Sequence, residues 1–221
     1  MKRYKNFIFI FIYVLLVVIY PKTPFLEIIF KNSEVLTKAS LYSFFLIHIV
    51  LFLCGVYLYK DNYIQGFLKV KEKPLKFLLF LVIGIIAIYI SNVVFDIFIK
   101  EQGSNQEALM STQKYITGLT AVFYYIITII IGPLNEELIF RNILIGKFKN
   151  YIPTMLTLVI SSTLFGLIHI HSSSELVQVL PYIGSGVIFG LIYWKSNYNL
   201  VYSSSVHILN NLLGILAIQF S

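Results

Sequence analysis

Apolar residues run along this chain in long blocks separated by short polar stretches. Residues 7–20, 41–59, 75–99, 115–131, 154–170, 176–194 and 200–220 are each nearly free of charge. A membrane-crossing helix needs about 20 apolar residues, so the pattern predicts an all-α, polytopic transmembrane helix bundle of about seven spans. Gly132-Pro133 closes the fourth block. Proline removes a backbone donor and clashes with the preceding turn, so a kink or break is expected there. Residues 135–148 then continue as helix, and form an eighth membrane segment if they are separate from the fourth. Residues 21–40 read as a mixed connector, 60–76 as the most basic loop, 100–114 as an exposed, mobile polar loop, and 171–175 as a short polar loop. Gly184, Gly186 and Gly190 in the sixth block suit close approach of helices.

Composition narrows the class. The chain has 221 residues, 58% hydrophobic and 12% charged. A soluble domain would be roughly a quarter charged, so no separate soluble domain fits. In a membrane protein the net charge of +7 speaks to orientation in the lipid bilayer and not to nucleic acid. With the N-terminus inside and seven spans, eleven of the 17 lysines and arginines fall on the cytoplasmic side and five outside, leaving Arg141 within the membrane. The positive-inside rule therefore predicts a multi-pass protein with a cytoplasmic N-terminus. Abundant Ile, Lys, Asn, Phe and Tyr point to an AT-rich genome and a bacterial plasma membrane. Lys2, Arg3 and Lys5 before the first block resemble a signal peptide. Pro21-Lys22-Thr23-Pro24 stands where small residues would mark cleavage, so the first span is expected to remain. Cys54 is the single cysteine, which excludes an intrachain disulfide and a thiolate metal cluster.

The candidate chemistry lies in the second half. Glu136, Glu137 and Arg141 sit in an otherwise apolar segment, where each charge costs at least about 2.5–3.5 kcal/mol. Glu137 and Arg141 are four apart on one helical face and are expected to pair. Glu136 lies about 100° away and needs another partner or a proton. Two further blocks carry polar residues at helical spacing, Phe165 with His169 and His207 with Asn211. Ionisable residues in a membrane mark a site facing the bundle interior. His48, alone in its block, reads as a hydrogen-bonded packing residue. One mismatch stands out: His169 falls near the outer end of its block, while His207 lies in the inner half of the last one. A tilted or extended fifth helix, or the eighth segment, would reconcile them.

This pattern resembles the CAAX-prenyl protease and bacteriocin-processing (Abi) family of intramembrane proteases. Three motifs carry the resemblance: Glu136-Glu137-Leu138-Ile139-Phe140-Arg141, Phe165-Gly166-Leu167-Ile168-His169 and His207-Ile208-Leu209-Asn210-Asn211. They divide the chain into residues 1–114, transmembrane helices without a recognisable motif, and residues 115–221, a protease-like core. The resemblance implies an endopeptidase. It makes Glu136 and His169 the pair that activates water, and His207 and Asn211 the residues that stabilise the oxyanion. Glu137, Arg141 and Phe165 take supporting roles. The chemistry agrees, because peptide hydrolysis needs a base for water and donors for the developing oxyanion.

Substrates expected on this basis are peptide or protein precursors: a prenylated CaaX protein, a peptide pheromone or a bacteriocin leader. A zinc-dependent version of the protease is the alternative mechanism. It is disfavoured because the motifs lack His-Glu-x-x-His, in which two ligands share one helix face, and no cofactor is expected. The alternative function is a bacteriocin self-immunity protein acting by binding. The intact set of catalytic positions favours catalysis.

Overall fold

The computed structural model describes residues 4–99, 103–170 and 172–220. Five of its helices are long and apolar enough to cross a membrane. They are α1 (Lys5–Lys22), α3 (Ser33–Glu72), α4 (Pro74–Asp96), α6 (Gly118–Asn150) and α9 (Leu200–Phe220). Two shorter apolar helices join them, α7 (Thr154–Leu167) and α8 (Val179–Lys195). The short α2 (Phe25–Ile29) precedes α3, and the polar α5 (Ser104–Tyr115) lies between α4 and α6. All seven apolar blocks are thus helical, and the protein is an integral membrane helix bundle.

Three elements differ from the sequence reading. The basic loop expected at 60–76 is mostly helix. Asn32 caps α3 by accepting from the amides of Glu34 and Val35, and the helix runs on for 40 residues. At about 1.5 Å per residue it reaches roughly 60 Å, far beyond the hydrocarbon core, so its lysine-bearing end projects from the membrane. Proline at the first position of α4 ends it. Of the polar loop expected at 100–114, residues 100–102 lie outside those described, and the remainder is α5. Its Gln, Glu, Ala, Leu and Met are good helix formers, and their polarity had masked this. His171, in the loop expected at 171–175, also lies outside the described residues, while Ser173–Glu175 forms a single 3-10 turn.

The third difference is at Gly132-Pro133, where the helix neither breaks nor starts a separate eighth segment. Instead α6 widens into a π turn over Ile127–Ile131 and again over Leu138–Ile145. The Gly132 amide donates to the Ile127 carbonyl, five residues back. In that register the Thr128 carbonyl would face the amide of residue 133, which proline lacks. The wide turn absorbs the proline and leaves one carbonyl to be satisfied from elsewhere. Such single π turns are commonly found at functional sites.

Small residues set the packing around α7 and α8. A Cβ placed on Gly186 would lie 3.1 Å from Ser162 Cα, and one on Gly190 3.3 Å from Leu158 Cγ. Gly186→Val should therefore push two backbones apart and lower the melting temperature in detergent by several degrees, an overpacking cost of about 1–3 kcal/mol. An unchanged melt would show that the interface is looser than these distances imply.

Candidate active site

The shortness of α7 resolves the depth mismatch of the histidines. Its 14 residues span about 21 Å, short of the ~30 Å hydrocarbon core. The fifth block's helix is therefore too short to cross on its own, and His169, just past its end, lines the same cavity as the other site residues. Neither extension of that helix nor an eighth segment is required.

Glu137 and Arg141 are fully buried and pair along α6, with Arg141 Nε 3.4 Å from Glu137 Oε1. Arg141 Nη2 donates to the Gly186 carbonyl at 3.2 Å. Its guanidinium also lies over the rings of Phe165 and Phe189, at 4.6 and 5.3 Å from their centroids. Glu136 finds its partner on α9, with Oε2 3.5 Å from His207 Nε2. The other nitrogen of the same ring, Nδ1, is 3.2 Å from Glu137 Oε1. His207 thus bridges the two adjacent glutamates.

Aromatic rings fix these groups. Phe189 stacks on His207 at 4.3 Å and 21°. Phe165 stands between the two histidines, with centroids 4.8 Å from His169 and 5.6 Å from His207. His169 donates from Nδ1 to the Phe165 carbonyl at 2.7 Å. A carbonyl only accepts, so in the neutral ring Nε2 is the lone-pair nitrogen. His169 also stacks on Tyr182 at 4.4 Å and 15°.

Asn211 occupies the gap left by Pro133. Its Nδ2 donates to the Thr128 carbonyl at 3.0 Å. A carboxamide carries two N–H groups, so one fastens α9 to the π turn and the second is available. Glu136, His169, His207 and Asn211 all line one cavity of about 2100 Å³. It extends to Tyr20 and Pro21 at the end of α1, to Asp96 at the end of α4 and to Gly103 before α5. This is the end of the bundle opposite Lys69 and Lys71 at the close of α3.

The structure therefore brings Glu136 and His207 into contact and sets His169 and Asn211 around the same space. Within the oxyanion pair expected from sequence, His207 faces the glutamates and Asn211 faces Thr128. Phe189 and Tyr182, which hold the two imidazoles, were missed. Phe189 lies among the small residues of α8, where the glycine spacing drew attention to packing. Among the described residues no three His, Cys, Asp or Glu side chains are gathered as a metal-binding group. His207 turns one nitrogen to each glutamate, so both cannot serve one ion.

A helical membrane bundle that buries a carboxylate–imidazole–carboxylate bridge beside a large cavity defines an intramembrane enzyme-like site. Residues 118–213 match the family model described as type II CAAX prenyl endopeptidase, Rce1-like. The membrane-embedded CAAX protease MroQ of Staphylococcus aureus is 30% identical over 201 residues, covering 86% of this chain and 77% of that protein. An uncharacterized protein of Mycoplasma capricolum is 32% identical over 145 residues, 61% of this chain and 42% of its own. The UPF0177 protein YxdF of Lactococcus lactis is 38% identical over 107 residues, 48% of this chain and 50% of its own. The chain thus spans half or less of the length of two of these relatives. No solved structure matches it significantly. The chain belongs to the Rce1-like CAAX protease family.

Proposed function

We propose that this protein is an intramembrane endopeptidase that hydrolyses a peptide bond of a membrane-associated peptide or protein precursor, with Glu136 as the base for the attacking water. The observation that carries the reading is the position of Glu136: its side chain is 18% exposed, at the edge of the cavity. Glu137, behind it, is sealed and paired. One carboxylate is thus reachable by water, and the other holds the charge balance.

In the proposed reaction Glu136 takes a proton from water, and the resulting hydroxide adds to the scissile carbonyl carbon. His169, which lines the same cavity, helps to position that water. The oxyanion is met by the second N–H of Asn211 and by His207 Nε2–H, which at 3.5 Å makes no tight bond to Glu136. As the tetrahedral intermediate collapses, Glu136 passes its proton to the leaving amine, so protons balance over the cycle. A metal-free mechanism is part of this proposal, supported by the dispersed donor set.

The substrate is proposed to be a precursor of the kinds expected above: a CaaX-type protein, a pheromone or a bacteriocin leader. The protein is proposed to lie in a bacterial plasma membrane with its N-terminus cytoplasmic. The test is cleavage of candidate precursor peptides by purified protein in detergent, with and without chelator. Activity lost to chelator and restored by zinc would hand the site to a metal. Specific binding with no cleavage of any candidate would favour an immunity role. Asn211→Ala should lower kcat about 10²–10³-fold, the usual effect of removing one oxyanion donor. A variant that retains the parent kcat would remove Asn211 from the reaction.

A further inference from the structure

The cavity holds a histidine that the mechanism does not use. His48, on α3, lines it together with Glu136 and His169. Its local sequence, Phe44-Phe45-Leu46-Ile47-His48, repeats the pattern of Phe165-Gly166-Leu167-Ile168-His169, and the two histidines make the same side-chain contacts, although the second stands just past its helix end. His48 Nδ1 donates to the Phe44 carbonyl at 3.0 Å, as His169 does to Phe165 at 2.7 Å. The ring centroids are 4.3 Å apart at 48° in one pair and 4.8 Å at 53° in the other.

Bonding to a carbonyl fixes the tautomer, so neutral His48 carries its lone pair on Nε2. No protein group hydrogen-bonds that nitrogen among the described residues. The ring lies beside the turn of α6 that precedes Glu136. A Cβ placed on Gly132, one turn before Glu136, would be 3.9 Å from His48 Cδ2. The backbone of His48 is fastened there as well, its carbonyl accepting from Asn135 Nδ2 at 3.0 Å.

We infer that His48 is a substrate-binding histidine whose Nε2 accepts a hydrogen bond from a backbone amide of the bound peptide; the inference rests on the peptidase reading above. A packing role alone would not need a polar edge turned into a wet cavity. One helical turn is about 5.4 Å and an extended peptide advances about 3.3 Å per residue. The amide recognised should therefore lie one or two residues from the scissile bond.

The experiment compares the parent with His48→Phe and His48→Gln, using a fluorescence-quenched apolar decapeptide in detergent. Losing one neutral hydrogen bond should raise KM about tenfold in His48→Phe, with kcat within about threefold. His48→Gln, which keeps an acceptor, should recover most of that loss. In the parent, backbone N-methylation of one amide near the scissile bond should raise KM by the same factor, and should add nothing in His48→Phe. This second measurement stands even if the variant folds poorly. An unchanged KM in His48→Phe, a loss confined to kcat, or a methylation scan with no sensitive amide would each overturn the inference. Failure of the peptidase reading is separately visible, as a parent protein that cleaves none of the peptides.

Discussion

Glu136→Gln yields a protein that folds like the parent and cleaves nothing. Glutamine matches glutamate in size and can still approach His207 Nε2, where Glu136 Oε2 now lies at 3.5 Å. What it lacks is the ability to take a proton from water. A positioned general base contributes up to about 10⁴-fold in rate, and the adjacent carboxylate cannot replace it. Glu137 is sealed from water and committed to Arg141 and His207. The fold should survive, because the Glu137–Arg141 pair remains and Glu136 sits at the cavity edge. The measurement is single-turnover cleavage of a precursor peptide beside a melting curve. Cleavage near the parent rate would move the base elsewhere, and a collapsed melt would make Glu136 a structural residue.

Arg141→Ala should be the most destabilising single change at the site. Arg141 is fully buried, and its guanidinium meets Glu137, the Gly186 carbonyl and the rings of Phe165 and Phe189. Alanine leaves Glu137 as a buried carboxylate without its arginine, with His207 as a remaining side-chain partner. Breaking a buried pair from one side costs about 3–5 kcal/mol. Low accumulation in the membrane and a strongly depressed melting temperature are expected, along with lost activity. The double variant Glu137→Gln/Arg141→Met should recover much of that stability, because it strands no charge. Equal melting of Arg141→Ala and the parent would disprove the pairing account.

Much of this was legible in the sequence. Charges inside apolar blocks stand out, so Glu136, Glu137 and Arg141 announced themselves, and the four-residue spacing of Glu137 and Arg141 gave their pairing directly. The seven apolar blocks became seven apolar helices because hydropathy reports burial in lipid without reference to tertiary contacts. Helix ends were less readable. Residues 60–72 and 104–115 are polar whether helical or not, and apolar residues continue past the point where α7 stops. Gly132-Pro133 signals a break by its local chemistry, yet a π turn and the amide of Asn211, 83 residues away from Thr128, accommodate it. The bridge from Glu136 through His207 to Glu137 joins segments of different helices, so no spacing rule could have found it. His48, read as a hydrogen-bonded packing residue, does bond the Phe44 carbonyl and pack on the Phe44 ring.

The bridging histidine also has a consequence for biogenesis. Glu137 and Arg141 neutralise each other as soon as α6 forms, since both belong to that helix. Glu136 has no such partner nearby. Its counterpart arrives with α9, and His207 is 70 residues downstream of Glu137. At about 5–20 residues per second of synthesis, α6 resides in the membrane for roughly several seconds with one carboxylate unbridged. A helix made well after α6 thus completes the electrostatics of the fourth apolar block, which ties the neutralisation of α6 to the docking of α9.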